Sequence, residues 1–284
     1  FDHLSDIRPW GLKDRIREHG ILEAWKSDLE DPSLDLHRFE IELWFRDNAD
    51  QREAQIRRVR HSLERFEGRL VGIPAMIEEV RFCAIKVELP AAFLRSWIEL
   101  FEKDPDQALG PFESDGIRSL RPAGCSVSLS LSDAQEEPMR PVSAAGAPLV
   151  AVLDGVPASN HQILAERIGI HDPDDFESAY HTALERKHGT VMCSLVSLGE
   201  LDAPTPLGRP IICRPIMHPD PRARNFGRVH EIVPSDTFAE EIVWRAVHEL
   251  LDRSHPGGAA APSVRIINLS VGDEAKPFQG TMSS

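Results

Sequence analysis

The sequence predicts an α+β unit of antiparallel character followed by an α/β domain built on a parallel sheet. Three observations carry that expectation. Strand-period and helix-period segments follow one another as β-α-β-β-α-β across residues 38–122. Residues 132–148, SDAQEEPMRPVSAAGAP, are rich in Pro, Ala, Ser and Gly and without periodicity, which makes 123–147 a linker. From residue 148 onward the apolar residues instead form continuous runs, as strands buried on both faces do.

In order, residues 1–37 are polar, with scattered tryptophans and a helical-looking piece from Leu12 to Trp25, and read as an N-terminal arm. Phe39, Ile41, Leu43 and Phe45 alternate with Glu40, Glu42 and Trp44, the period of a half-buried strand. After Asp47-Asn48, the residues Ile56, Val59, Leu63 and Phe66 recur at helical spacing, and Gly68 closes that helix. A strand pair is expected across Arg69–Ile73 and Glu79–Leu89. Pro90 then opens a helix carrying Phe93, Leu94, Trp97, Ile98 and Phe101. Gly116–Leu120 supplies the last strand. This order is the split βαβ, ferredoxin-like arrangement.

In the second half, Pro148–Leu153, Pro210–Met217 and Val264–Val271 read as buried strands. Between the last two, Thr237 and Glu240 form a capping box before an apolar stripe of Phe238, Ile242, Val243, Ala246, Val247, Leu250 and Leu251. Strand, long helix and strand make a parallel crossover, and open parallel sheets place ligands at the carboxyl ends of their strands.

The 284 residues carry a formal net charge of −14 and no long basic block, which speaks against nucleic acid as a partner. No apolar run approaches the roughly 18 residues of a membrane span. Cys83, Cys125, Cys193 and Cys213 form no Cys-x-x-Cys pair, a usage that suits a reducing, cytoplasmic compartment. The chain shows no signal peptide, although it opens on Phe1. No metal or cofactor is expected. His181 and His188 are seven apart, no His-Glu-x-x-His occurs, and no Gly-rich phosphate loop is present. The acidic stretch Asp172–Asp175 reads as a helix cap with solvated carboxylates rather than a calcium site.

Two polar residues stand where strand ends predict chemistry. Asp154 ends the run Leu149–Leu153, and His188 opens an apolar helical stretch through Leu198. A carboxylate can hold an imidazole in one tautomer, and the imidazole can then act as general base toward a hydroxyl. Each also has a plain structural reading: Asp-Gly as turn chemistry, and His188 as a cap or surface residue.

The segments LVAVLDGVPASNHQIL (149–164), HGTVMCSLV (188–196) and RIINLSVG (265–272) together resemble the aspartate, histidine and groove-strand segments of subtilisin-like serine proteases. The resemblance covers residues 148–284. It implies that Asp154 orients the base, that His188 serves as base and acid, and that Ser270 and Gly272 border the groove that pairs with a peptide or protein substrate. The unit over 38–122 then resembles the propeptide-like domain that precedes such proteases. The DGVP…HGT…INLSVGD series is similar to subtilases found beside AAA-type ATPases, which implies such a partner.

The sequence departs from the family in placing Gly155 directly after Asp154, Val191 where a second histidine is frequent, and Ser194 where glycine is frequent. The family's nucleophile lies in Gly-Thr-Ser before a small-residue helix. FQGTMSS displaces Ser283 by one residue and supplies no helix, so neither Ser283 nor Ser284 is expected to be the nucleophile. Residues 1–284 are therefore expected to be an inactive piece carrying Asp and His but not Ser. The competing class is a non-catalytic binding or regulatory protein on a truncated protease fold. An unrelated α/β hydrolase or nucleotide-binding domain lacks its nucleophile elbow or Gly-rich loop.

Overall fold

The first departure from the sequence expectation lies before residue 38. Two short helices, α1 (Leu12–Arg17) and α2 (Ile21–Asp28), bury Ile16, Ile21 and Trp25 completely. The Trp25 ring stacks on Phe112 with centroids 5.6 Å apart and meets the edges of Phe39 at 5.0 Å and Trp97 at 5.9 Å. This stretch therefore contributes to a core, and the helical-looking piece expected over Leu12–Trp25 is realised as two short helices.

The computed structural model describes residues 10–17, 19–105, 107–108, 110–123, 126–127, 143–161, 164–199, 206–222 and 229–271. The chain divides into two compact units, one running to Ala123 and the other from Gly124 to Pro277. Most of the expected linker, residues 128–142, lies outside the described residues.

In the first unit, β1 (Leu36–Leu43) leads into α3 (Ala49–Glu64), whose N-cap Asn48 accepts the Gln51 amide at 3.1 Å. The strands β2 (Arg69–Ile77) and β3 (Phe82–Pro90), the helix α4 (Ala91–Lys103) and the strand β4 (Ile117–Pro122) complete the order β-α-β-β-α-β. The four strands pair antiparallel as β2-β3-β1-β4. Because side chains alternate across a strand, Phe39, Ile41, Leu43, Ile85, Val87 and Leu89 join the core formed with Ile56, Val59, Leu63, Leu94, Trp97 and Phe101. The alternate positions Glu40, Glu42, Lys86 and Glu88 are buried as well, and each is paired with an opposite charge.

The second unit carries a parallel sheet. Its strands are β6 (Val150–Asp154), β7 (Ile168–Ile170), β8 (Ile211–Pro215) and β11 (Ile266–Leu269), ordered β11-β6-β8-β7. A small antiparallel sheet, β5-β10-β9, is formed by β5 (Ser126–Val127), β9 (His218–Pro219) and β10 (Glu231–Ile232). Helix α5 (Lys187–Leu198) packs on one face of the parallel sheet, where Val150, Val152, Ile211 and Cys213 meet Cys193, Met192 and Val196. Helix α6 (Ala239–Leu251) packs on the other, where Ala151 and Leu153 meet Ile242, Ala246 and Leu250. The structure is thus mixed α/β, with two antiparallel sheets and one parallel sheet among the described residues.

Helix α6 begins at Ala239, with Phe238 at the N-cap position. One local expectation is corrected. Strand β11 is not covered on both faces. Among the described residues it pairs only with β6, and Ile266 is 60% exposed. No helix of the described residues is long and apolar enough to cross a membrane.

Candidate active site

Parity places the aspartate. Val150 and Val152 face α5, Ala151 and Leu153 face α6, and Asp154 continues the even series onto the α5 side. The strand order adds position. From β6 the chain first builds β7 and β8 on one side, then returns to lay β11 on the other, which makes the carboxyl end of β6 a topological switch point. Asp154 is fully buried at that edge.

His188 sits in the first turn of α5, and its Nδ1 lies 2.6 Å from Asp154 Oδ1. The same oxygen accepts the Gly155 amide at 2.7 Å. Asp154 Oδ2 is buried and has no hydrogen-bond partner among the described residues. Burial lowers the basicity of the His188 imidazole, but the hydrogen bond to Asp154 and the charges of Asp154 and Glu231 more than offset this, and its pKa is raised. With Nδ1 committed to the carboxylate, Nε2 is the nitrogen free to exchange a proton.

The whole triplet His188-Gly189-Thr190 is fitted to the segment leaving β6. A Cβ on Gly189 would overlap the Gly155 carbonyl oxygen and lie 2.7 Å from its carbon, so only glycine lets the helix come this close. Thr190 Oγ1 accepts the Ala158 amide at 2.9 Å and donates to the Arg186 carbonyl, tying the loop to the helix start.

Behind Gly155 stand two residues that sequence reasoning missed. The Tyr180 hydroxyl accepts the Val156 amide at 3.1 Å and is hydrogen-bonded to Glu231 Oε1. A Cβ on Gly155 would overlap the Glu231 carboxyl and lie 2.8 Å from the Tyr180 hydroxyl, which accounts for glycine at this position. Burial pushes the Glu231 carboxyl up. The Tyr180 hydrogen bond and His188 oppose this and Asp154 adds to it, leaving the pKa at about 7. The one legible signal was the bare glycine after the aspartate, since a missing side chain invites the question of what fills its space.

The structure brings together Asp154 and His188 but gives Ser270 a different partner, its hydroxyl donating to Asn268 Oδ1 at 2.8 Å. Ser270 follows Leu269, which pairs with Leu153, so β11 and β6 end at the same edge. Gly272, Ser283 and Ser284 lie outside the described residues. Asp172 accepts the Phe176 and Glu177 amides at 3.1 and 2.8 Å, a capping role. Asp174, expected to be solvated, instead pairs with buried Arg214 and with Arg245. Cys213 is fully buried, and the hydrogen bond to the Cys193 thiol and burial both push its pKa well up, which makes it a poor nucleophile.

Fold and site together define an α/β protein with a buried carboxylate–imidazole pair at the carboxyl edge of a parallel sheet. No family model matches the sequence, and no curated protein matches it significantly.

Proposed function

We propose that this chain carries the aspartate and histidine of a subtilisin-type serine endopeptidase. The observation that carries the reading is the 2.6 Å bond from His188 Nδ1 to buried Asp154, which leaves Nε2 for a hydroxyl nucleophile. In this reading Asp154 fixes the tautomer and stabilises the imidazolium. His188 takes the proton from a serine hydroxyl as it attacks a peptide carbonyl, then returns it to the leaving amine. The edge strand β11 and Ser270 would lie beside the bound peptide, adding it as a further strand. The first unit, with its β-α-β-β-α-β order and β2-β3-β1-β4 sheet, is read as a ferredoxin-like, propeptide-like module. The order of segments also supports the AAA-type ATPase as a partner class.

The reading assigns no nucleophilic serine among residues 1–284. The experiment is fluorophosphonate labelling and peptide cleavage by a longer gene product that supplies one. Labelling is expected there and not on residues 1–284 alone. Asp154→Asn should lower turnover by about 10⁴-fold with the fold intact. Undiminished labelling of the D154N and H188A variants would remove the peptidase reading.

A further inference from the structure

We propose that Glu231 and Tyr180 are positioning residues for the Asp154–His188 pair. The Glu231 carboxyl occupies the space a side chain at 155 would take and holds the Tyr180 hydroxyl. Through that hydroxyl it fixes the Val156 amide and the turn from which Asp154 reaches His188. What the pair is for rests on the peptidase reading; that Glu231 and Tyr180 position it does not.

The argument is first one of space. Gly155 has no Cβ, and the atoms that would meet one are Glu231 Oε1, Glu231 Cδ at 2.6 Å and the Tyr180 hydroxyl at 2.8 Å. Glu231 and Tyr180 are almost fully buried, so neither side chain sits there by surface accident. Burying a carboxyl and a phenol without partners is costly; here the Tyr180 hydroxyl bonds Glu231 and the main chain of Val156 and Met217.

Next comes a count of protons. Three groups converge on one hydroxyl: the Val156 amide at 3.1 Å, the Met217 carbonyl at 3.1 Å and the Glu231 carboxyl. The amide brings its own hydrogen, and the carbonyl can only accept. If Glu231 is protonated it donates to the tyrosine oxygen, tyrosine donates to Met217, and every contact holds a proton. If Glu231 is ionised, the single phenolic proton must serve either the carboxylate or the carbonyl. The neutral acid is the better-satisfied form, in keeping with the upward displacement of its pKa to about 7.

Burial favours the same form, while the charged neighbours act in opposite directions. Asp154 faces the site from β6, His188 from α5 and the Cys213 thiol from β8, 3.6 Å from the Gly155 carbonyl. The Arg186 guanidinium lies 5.3 Å from the centroid of the Tyr180 ring and pairs with Glu177 at 3.0 Å. The Asp154 carboxylate opposes ionisation of Glu231, and the His188 imidazolium favours it, so Glu231 and His188 titrate as a coupled pair.

The test uses residues 1–284 with isotope-labelled histidine and needs no turnover. The His188 titration is followed by NMR, together with hydrogen exchange of the Val156 amide relative to the Val152 amide in the same segment. Tyr180→Phe keeps the ring and removes the acceptor. Glu231→Ala empties the space, and Glu231→Gln retains volume and an N–H donor in place of the acid proton. Y180F and E231A should speed Val156 exchange about five- to tenfold relative to Val152 and displace the His188 titration. E231Q should restore Val156 protection to within about twofold while lowering the His188 pKa, because the charge that raises it is gone. Equal acceleration of both amides, or a His188 titration unchanged in Y180F and E231A, would overturn the positioning role. Absence of fluorophosphonate labelling in the longer gene product would instead remove the peptidase reading and leave these shifts as they are.

Discussion

Two buried glutamates, one in each unit, show how differently the two halves of the chain treat charge. In the antiparallel sheet, burial works against the Glu88 carboxylate, but bonds from Arg38 at 2.7 Å and Arg69 at 2.8 Å outweigh it, and its pKa is lowered. At the edge of the parallel sheet Glu231 is more deeply buried, its bonded partner is a phenol and Asp154 adds a neighbouring negative charge. Its pKa rises to about 7. The first glutamate is a permanent anion that ties strands together. The second has its pKa displaced to about 7, beside an imidazole. The lesson is that burial alone does not decide a carboxyl's state; the charge of its hydrogen-bond donors does.

The same contrast extends to glycine, and gives the largest expected effect on stability. A Cβ on Gly68 would press first on Leu89 Cδ2 at 2.5 Å, the far end of a buried side chain, with the Glu88 and Leu63 carbonyls at 3.1 and 3.2 Å. On Gly189 it would strike the main chain of Gly155 and Val156, which cannot turn away. Gly189→Ala should therefore cost about 3 kcal/mol in urea unfolding, against about 1 kcal/mol for Gly68→Ala. It should also break the His188 Nδ1–H signal of the Asp154 bond. Equal costs would mean that the segment leaving β6 yields as readily as a leucine.

Next in size is a pair of opposed pH slopes. Glu231 has a raised folded pKa, so its contribution is fully present below the unfolded value of about 4.5 and is lost as pH rises through about 7. Glu88 has a lowered one, so its contribution is present above about 4.5 and is lost as pH falls through its folded value. His188, with a raised pKa, also loses its contribution as pH rises, beginning above 6.5. Relative to wild type, Glu231→Gln should gain stability between pH about 4.5 and 7, by up to on the order of 3 kcal/mol. Glu88→Gln should show its deficit at neutral pH, shrinking as the solution becomes acidic. Parallel curves for the two variants would erase the distinction between them.

How much of this could be read beforehand depends on where each signal lives. The period of two at Phe39, Ile41 and Leu43 and the unbroken run Val150–Leu153 are local, so the strands were legible. So was the Asp154–His188 pair, because each half lies in a recognisable segment. The helical character of α1 and α2 was legible too, in the piece from Leu12 to Trp25, but their burial was not, since Ile16, Ile21 and Trp25 become apolar contacts only once β1, α4 and Phe112 surround them. Strand β7, three residues long, has no period to detect. Glu231 was beyond reach for a different reason. It meets Gly155 across 76 positions, and nothing beside it in His230-Glu231-Ile232 marks it as more than a polar residue on a short strand.

The smallest effect asks how far the comparison depends on a single tether. Thr190 Oγ1 accepts the Ala158 amide at 2.9 Å and donates to the Arg186 carbonyl, so the loop after Asp154 and the helix under His188 share one hydroxyl. Thr190→Val keeps the shape and removes both bonds. The change should cost about 1 kcal/mol by thermal unfolding, the ordinary net worth of a hydrogen bond, because the half-buried site lets water replace part of what is lost. Its more telling readout is the Glu231 carboxyl, followed by NMR. If the loop is held mainly from behind by Tyr180 and Glu231, that carboxyl should titrate in T190V as it does in wild type. A Glu231 titration that moves toward the ordinary carboxylate range would mean that the hydroxyl in front, not the buried acid behind, keeps the segment leaving β6 in place.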